Sequence, residues 1–247
     1  MSERNEKQAS TSVEALDHRS ETSQGVRRWL RREVLGVLFV AATLFISAGR
    51  LDWFGGWALV AVYAVWVAAN ALILIPRSPE LLAERAERKK SDKSWDTVLL
   101  SIIGLVTMAK YILAGLDVRF AWTTQVPLGL QVAALVIAAL GYALGTWAMA
   151  ANAFFSMVVR IQGDRGHNVA TGGPYAYVRH PGYTGVIAFE LASPIILGSL
   201  WALIPGGLNV LLTIVRTALE DRTLNEELDG YRAYARHVRH RLLPGVW

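Results

Sequence analysis

The sequence predicts an all-α integral membrane protein of about five to six transmembrane helices with a C-terminal helix on the cytoplasmic side, on three observations. Hydrophobic residues make up 53% of the 247 positions and charged residues only 18%, a balance outside the ordinary range of soluble domains. The apolar residues come in runs close to the roughly 20 that a spanning helix needs. The basic residues concentrate in alternate connections, and so on one side of the membrane, as the positive-inside rule requires.

Residues 1–25 are polar, rich in Ser and Glu and without an apolar period, so they are expected to form a disordered tail. Residues 26–247 then read as a single membrane domain. The first apolar run follows Arg31-Arg32-Glu33 with no small-residue cleavage pattern, and is expected to remain as an anchor. Runs 34–49 and 53–75 form one predicted hairpin, and 95–116 and 126–151 a second. Runs 185–200 and 201–215 are shorter and interrupted by Pro194, Pro205 and Gly206-Gly207, so they need not both cross fully.

With the N-terminus inside, only Arg50 and Arg119 fall on the outer side, which puts both termini and the long connections in the cytoplasm. A bacterial inner membrane is the expected location. Lys110 lies about two turns from the end of its run, where its stem can snorkel toward the interface. The segment 77–93 reads as a short surface helix, with Pro first, acidic residues early and basic residues late.

The chain has no cysteine, which excludes a disulfide framework, a thiolate nucleophile and a Cys-ligated zinc site. No metal is expected. The net charge of +5 is explained by membrane topology rather than by a nucleic-acid surface. The oligomeric state is left open.

Candidate chemistry concentrates in 152–185, which gathers Arg160, Gln162, His167, Tyr175, Arg179, His180 and Tyr183 between Gly-Gly-Pro and Pro-Gly turns. Arginine and histidine donors suit a ligand carboxylate, and tyrosine rings suit an adenine face or a sulfonium. After the last run, Glu220, Leu224 and Leu228 recur at helical spacing up to Gly230, a C-cap signal. The adjacent Glu226 and Glu227 would accept bonds from ribose hydroxyls or an amino group if this helix folds back over the first cluster. The alternative is a solvated helix face.

Together the two clusters resemble the isoprenylcysteine carboxyl methyltransferase family, whose signature pairs H-x-[LV]-x-T-x-G-x-Y-x-x-x-R-H-P-x-Y-x-G with a later E-E-x-x-L and G-Y-x-x-Y. The sequence supplies His167, Val169, Thr171, Gly173, Tyr175, Arg179, His180, Pro181, Tyr183 and Gly185, then Glu226, Glu227, Leu228, Gly230, Tyr231 and Tyr234. The resemblance covers roughly the last hundred residues and is that of a bacterial-type member, also related to phospholipid methyltransferases. It implies S-adenosyl-L-methionine as cofactor, bound within 152–247 at the cytoplasmic face, and a lipid or lipophilic small molecule as acceptor.

Methyl transfer from a sulfonium needs alignment and electrostatics rather than a covalent intermediate. Arg179 with His180 is expected to anchor the donor carboxylate, and Arg239 or Arg241 to orient the acceptor. An amine acceptor would need a base, for which Glu190 or His167 is available. Tyr183, Ile187 and Glu190 share one helix face, so Glu190 is expected to face the acceptor side, the alternative being a structural bond to Arg216 or to backbone. Carboxyl methylation, lipid amine N-methylation, an NADPH-dependent sterol-type reductase and a non-enzymatic membrane protein all remain open readings.

Overall fold

An apolar run can cross a bilayer only if its own backbone satisfies every N–H and C=O, so long runs become helices. The computed structural model describes residues 2–87 and 91–247, with side chains from residue 20 onward. The helices are α1 (Ser2–Ala48), α2 (Phe54–Leu74), α3 (Pro79–Ala86), α4 (Ser94–Phe120), α5 (Leu128–Ala151), α6 (Pro181–Ile196), α7 (Leu203–Glu227) and α8 (Tyr231–His237). No strand occurs among the described residues.

Four helices, α2, α4, α5 and α7, are long and apolar enough to span a membrane. The sequence predicts five to six, and the difference lies in α6 and in α1. At about 1.5 Å per residue α6 is only about 24 Å long, short of the roughly 30 Å hydrocarbon core. The apolar part of α1 is shorter still, and it continues from a polar half. The helix as assigned begins at Ser2.

The connections 75–93 and 152–180 and the C-terminal end of α7 lie at one end of this up-and-down arrangement. α3 is held at that end by α1. A Cβ at Gly25 would fall 2.4 Å from Ala83 Cβ, and Trp29 is buried with Leu81 and Leu82. α5 and α6 touch backbone to backbone, since a Cβ at Gly185 would fall 2.3 Å from the Gly141 carbonyl oxygen. Small residues allow such close approach where lipid offers no hydrophobic drive for helix association. Beside this seam Tyr142 stacks on Phe189 at 4.6 Å and on Trp66 at 4.9 Å.

Several polar side chains inside the bundle are directed at one another across helices. Lys110 on α4 is fully buried and donates to Glu190 at 2.8 Å and to Ser193 at 3.1 Å, both on α6. Asn209 on α7 donates to the same Glu190 oxygen at 3.1 Å and to Thr107 at 2.9 Å. The expected snorkelling of Lys110 is therefore not found, because an ammonium that meets a carboxylate within the bundle needs no route to water. At the far end Asp117 accepts from the Thr123 N–H at 2.6 Å and from the Thr123 and Ser199 hydroxyls at 2.7 and 2.5 Å.

Replacing Lys110 by Met leaves the Glu190 carboxylate buried without its cation, and the variant should be about 3–5 kcal/mol less stable. The double variant Lys110→Met, Glu190→Gln should recover most of that loss. Unfolding in mixed micelles measures both, and equal stabilities of the two variants would refute the pairing.

Candidate active site

The candidate site is a cavity of about 320 Å³ at the end shared by α3, the 152–180 connection and the C-terminal end of α7. Its floor begins with Asn152, which follows α5. Asn152 Oδ1 accepts the Phe154 N–H at 2.9 Å and its Nδ2 donates to the Tyr175 hydroxyl at 3.3 Å, so one side chain both turns the chain and fixes a tyrosine of the cavity wall. Gln162 is buried, donates to the Phe154 carbonyl at 2.7 Å and accepts from Arg165 at 2.6 Å. Its amide is spent on the loop and it does not line the cavity.

His167 does line it. Its Nδ1 accepts the Gln162 N–H at 3.2 Å, and its pKa is lowered by burial and then by the charges of Arg160 and Arg165. The ring is thereby held neutral at physiological pH. Gly173 adopts φ +58 at the start of a 3₁₀ turn, against Ala151 and Trp147. It shapes the outer wall and, like Pro181 at the first turn of α6, does not reach the cavity, whereas Val169, Tyr175, Arg179, His180 and Tyr183 do.

The centre of the arrangement is Asp221 on α7, 2% exposed. It accepts from Arg179 Nε at 2.7 Å and Nη2 at 3.0 Å, from Tyr231 at 2.9 Å and from Arg241 Nε at 2.8 Å. His180 Nε2 stands 3.2 Å away. Arg179 Nη1 also donates to the Val238 and Arg239 carbonyls, at 2.8 Å each. Four of the five guanidinium N–H groups of Arg179 are thus committed within the protein. The expectation that Arg179 anchors a ligand carboxylate is revised accordingly: it ties the 179–180 corner to α7 and to the C-terminal segment.

That segment runs alongside, with the Arg179 and His180 N–H groups donating to the carbonyls of His240 at 3.0 Å and Arg241 at 2.9 Å. Arg241 faces Asp221 rather than the cavity, and the side chain of Arg239 is exposed. Tyr231 and Tyr234 of α8 complete the wall. Tyr234 donates to the Tyr175 carbonyl at 2.7 Å, and burial pushes its pKa up to about 12.

Toward the membrane side, Tyr183 donates to Glu220 and its ring lies 5.4 Å from the Arg216 guanidinium. Arg216 in turn donates to Asp96 at 2.7 Å and to the Met157 carbonyl at 2.9 Å. Glu190, expected to share this face with Tyr183, is instead turned to Lys110 and Asn209 and is absent from the cavity wall. The geometry favours the structural alternative, with Lys110 as the partner in place of Arg216.

Sequence reasoning missed Asp96, Asp221, Arg216 and Glu220. Glu226 pairs with Arg222 in solvent and Glu227 with Lys93 at 2.5 Å, and neither lines the cavity. The signal that would have pointed to the carboxylates at the cavity is spacing. An acidic pair separated from a following Leu by two residues is met by Glu220-Asp221-Arg222-Thr223-Leu224, whereas Glu226 and Glu227 are followed at once by Leu228.

Helices long and apolar enough to span a membrane are thus capped at one end by a cavity lined with charged and tyrosine side chains. Over residues 132–226 the chain matches the isoprenylcysteine carboxyl methyltransferase (ICMT) family. No curated protein gives a significant match to the chain.

Glu220→Gln and Glu226→Gln separate the two acidic pairs. The first should weaken binding of an adenosyl ligand by about tenfold if one charge-assisted bond of about 1.5 kcal/mol is lost. The second, in a solvent-exposed pair outside the cavity, should leave affinity unchanged. Isothermal titration with S-adenosylhomocysteine gives the comparison, and the reverse ranking would return the site to Glu226.

Proposed function

We propose that this protein transfers a methyl group from S-adenosyl-L-methionine to a lipophilic acceptor at the cytoplasmic membrane surface, and that the accepting group is a carboxylate of the isoprenylcysteine kind. The observation that carries the reading is the coincidence of the family segment with the cavity. Residues 132–226 contribute Tyr175, His180, Tyr183, Arg216 and Glu220 to its wall.

The residues present suit the cofactor. The volume of about 320 Å³ is at the lower end for small-molecule sites. Glu220 would accept from ribose hydroxyls or the amino group, and the Tyr175 and Tyr231 rings would border the adenine or the sulfonium. When bound, the cofactor supplies an electrophilic methyl group for in-line displacement by an acceptor oxygen.

The work left to the chain is positioning and exclusion of water. A carboxylate acceptor is already ionised at neutral pH and needs no base. Arg216, held by Asp96 and a carbonyl, is a preorganised cation that would attract that carboxylate and keep it from turning. Exposed Val186 and Met157 at the rim of the cavity offer an apolar approach for a hydrocarbon chain. The basic connections at the same end support a cytoplasmic orientation.

Purified protein titrated separately with S-adenosylmethionine and with NADPH should bind the first and not the second. With the cofactor, a prenylated cysteine bearing a free carboxylate should be methylated, while phosphatidylethanolamine should not. Methylation of the amine lipid alone would replace the carboxyl reading by N-methylation, and binding of NADPH without S-adenosylmethionine would overturn both.

A further inference from the structure

Each arginine of the cavity wall but one is matched by a carboxylate. Arg179 meets Asp221, Arg216 meets Asp96 and Arg160 meets Glu84. Arg85, on α3, has no carboxylate within ion-pair distance among the described residues, and its side chain makes no hydrogen bond there. Its Nη1 atom is buried without a partner, and so is Nε of Arg160. Both residues line the cavity.

An unpaired buried donor costs about 1–3 kcal/mol, and more when it is charged. Two such donors, on two residues that line one cavity, call for an acceptor that arrives from outside the chain. The compensation available inside the protein is small. The Arg85 guanidinium lies 5.4 Å from the Phe155 ring, a contact worth about 0.5–2 kcal/mol. Glu33, whose charge reaches Arg85, is already bonded to Arg32 at 2.8 Å. Burial lowers the Arg85 pKa to about 10, which still leaves the group fully charged at neutral pH.

The position of Arg85 is fixed from behind. Arg32 of α1 donates to the Arg85 carbonyl, and Leu81 and Leu82, four and three residues before Arg85 on α3, are buried in one cluster with Trp29. Arg160 is fixed through Glu84, the neighbour of Arg85, so the two guanidinium groups are set by one short stretch of chain. Planar guanidinium groups with free N–H donors match the geometry of a carboxylate.

We infer that Arg85, assisted by Arg160, forms an anion subsite that takes a ligand carboxylate, the role that Arg179 is too fully bonded to fill. The inference rests on the methyl-transfer reading for the identity of the ligand, because that reaction brings two carboxylates to the cavity: that of the methionine moiety of the cofactor and that of the acceptor.

The test compares unmutated protein with Arg85→Gln, using ligands with and without the carboxylate. S-adenosylhomocysteine is paired with its decarboxylated analogue, and a prenylated cysteine with its amide. The variant should lose on the order of tenfold or more in affinity for one carboxylate ligand and nothing for the matching carboxylate-free ligand. The pair that responds identifies the source. Equal losses for both members of each pair, or no loss in any, would overturn the subsite. Arg85→Lys, which keeps the charge, should recover part of the affinity.

A second measurement is independent of the reaction. Sulfate titrated at constant ionic strength should raise the melting temperature of the unmutated protein and leave that of Arg85→Gln flat. If the unmutated protein binds neither adenosyl ligand nor prenylcysteine yet responds to sulfate in this way, the methyl-transfer reading fails and the anion subsite stands. A flat response in both proteins overturns the subsite itself.

Discussion

The carboxylate of Asp221 organises the site. A single buried side chain with two oxygens accepts from Arg179, Tyr231 and Arg241 and stands beside His180. These partners come from the corner before α6, from α8 and from the C-terminal segment. None of those pieces has an apolar face large enough to fix it alone, and α8 is only seven residues long. Short helices of that length are marginal without tertiary contacts. The ionic hub supplies the constraint, and it is tolerable in a buried position because nearly every lone pair is used.

The same logic extends into the membrane. Lys110 and Glu190 join α4 to α6, with Asn209 bringing in α7, and Asp96 and Arg216 join α4 to α7 at the level of the cavity. In lipid, apolar side chains gain little by leaving one solvent for the other, so interlocked polar groups and close backbone contacts decide which helices become neighbours. The consequence for the site is that Arg216 and Tyr183 reach the cavity from helices whose rotation is fixed several turns away.

The membrane class, the helical hairpins, the surface helix at 79–86 and the cavity-facing His167, Tyr175, His180 and Tyr183 were legible in the sequence, because each rests on run length, turn chemistry or local spacing. The pairings were not. Lys110 read as a snorkelling residue and Glu190 as a site carboxylate because each is a lone charge in its own helix, and nothing local says that the two, 80 positions apart, will meet. Glu226 and Glu227 were conspicuous as adjacent acids, while Asp221 sits between Glu220 and Arg222 in a run that looks solvated. Which side of α7 faces inward is set by α4 and α6, not by α7. Arg85 was hidden for a similar reason, being one of several cations in a loop whose topology alone accounts for positive charge.

The seam between α5 and α6 sets limits on how the protein can move. Where Gly141 meets Gly185, no side chains lie between the two backbones, so no rotamer change can relieve a shear or rotation there. The two helices behave as one stiff post, with the 152–180 connection mounted on its end. Traffic of ligands must therefore draw on the opposite wall, where the C-terminal segment is attached largely by hydrogen bonds. The breathing amplitude of the cavity is thus decided by the two-glycine contact as much as by any residue that touches a ligand.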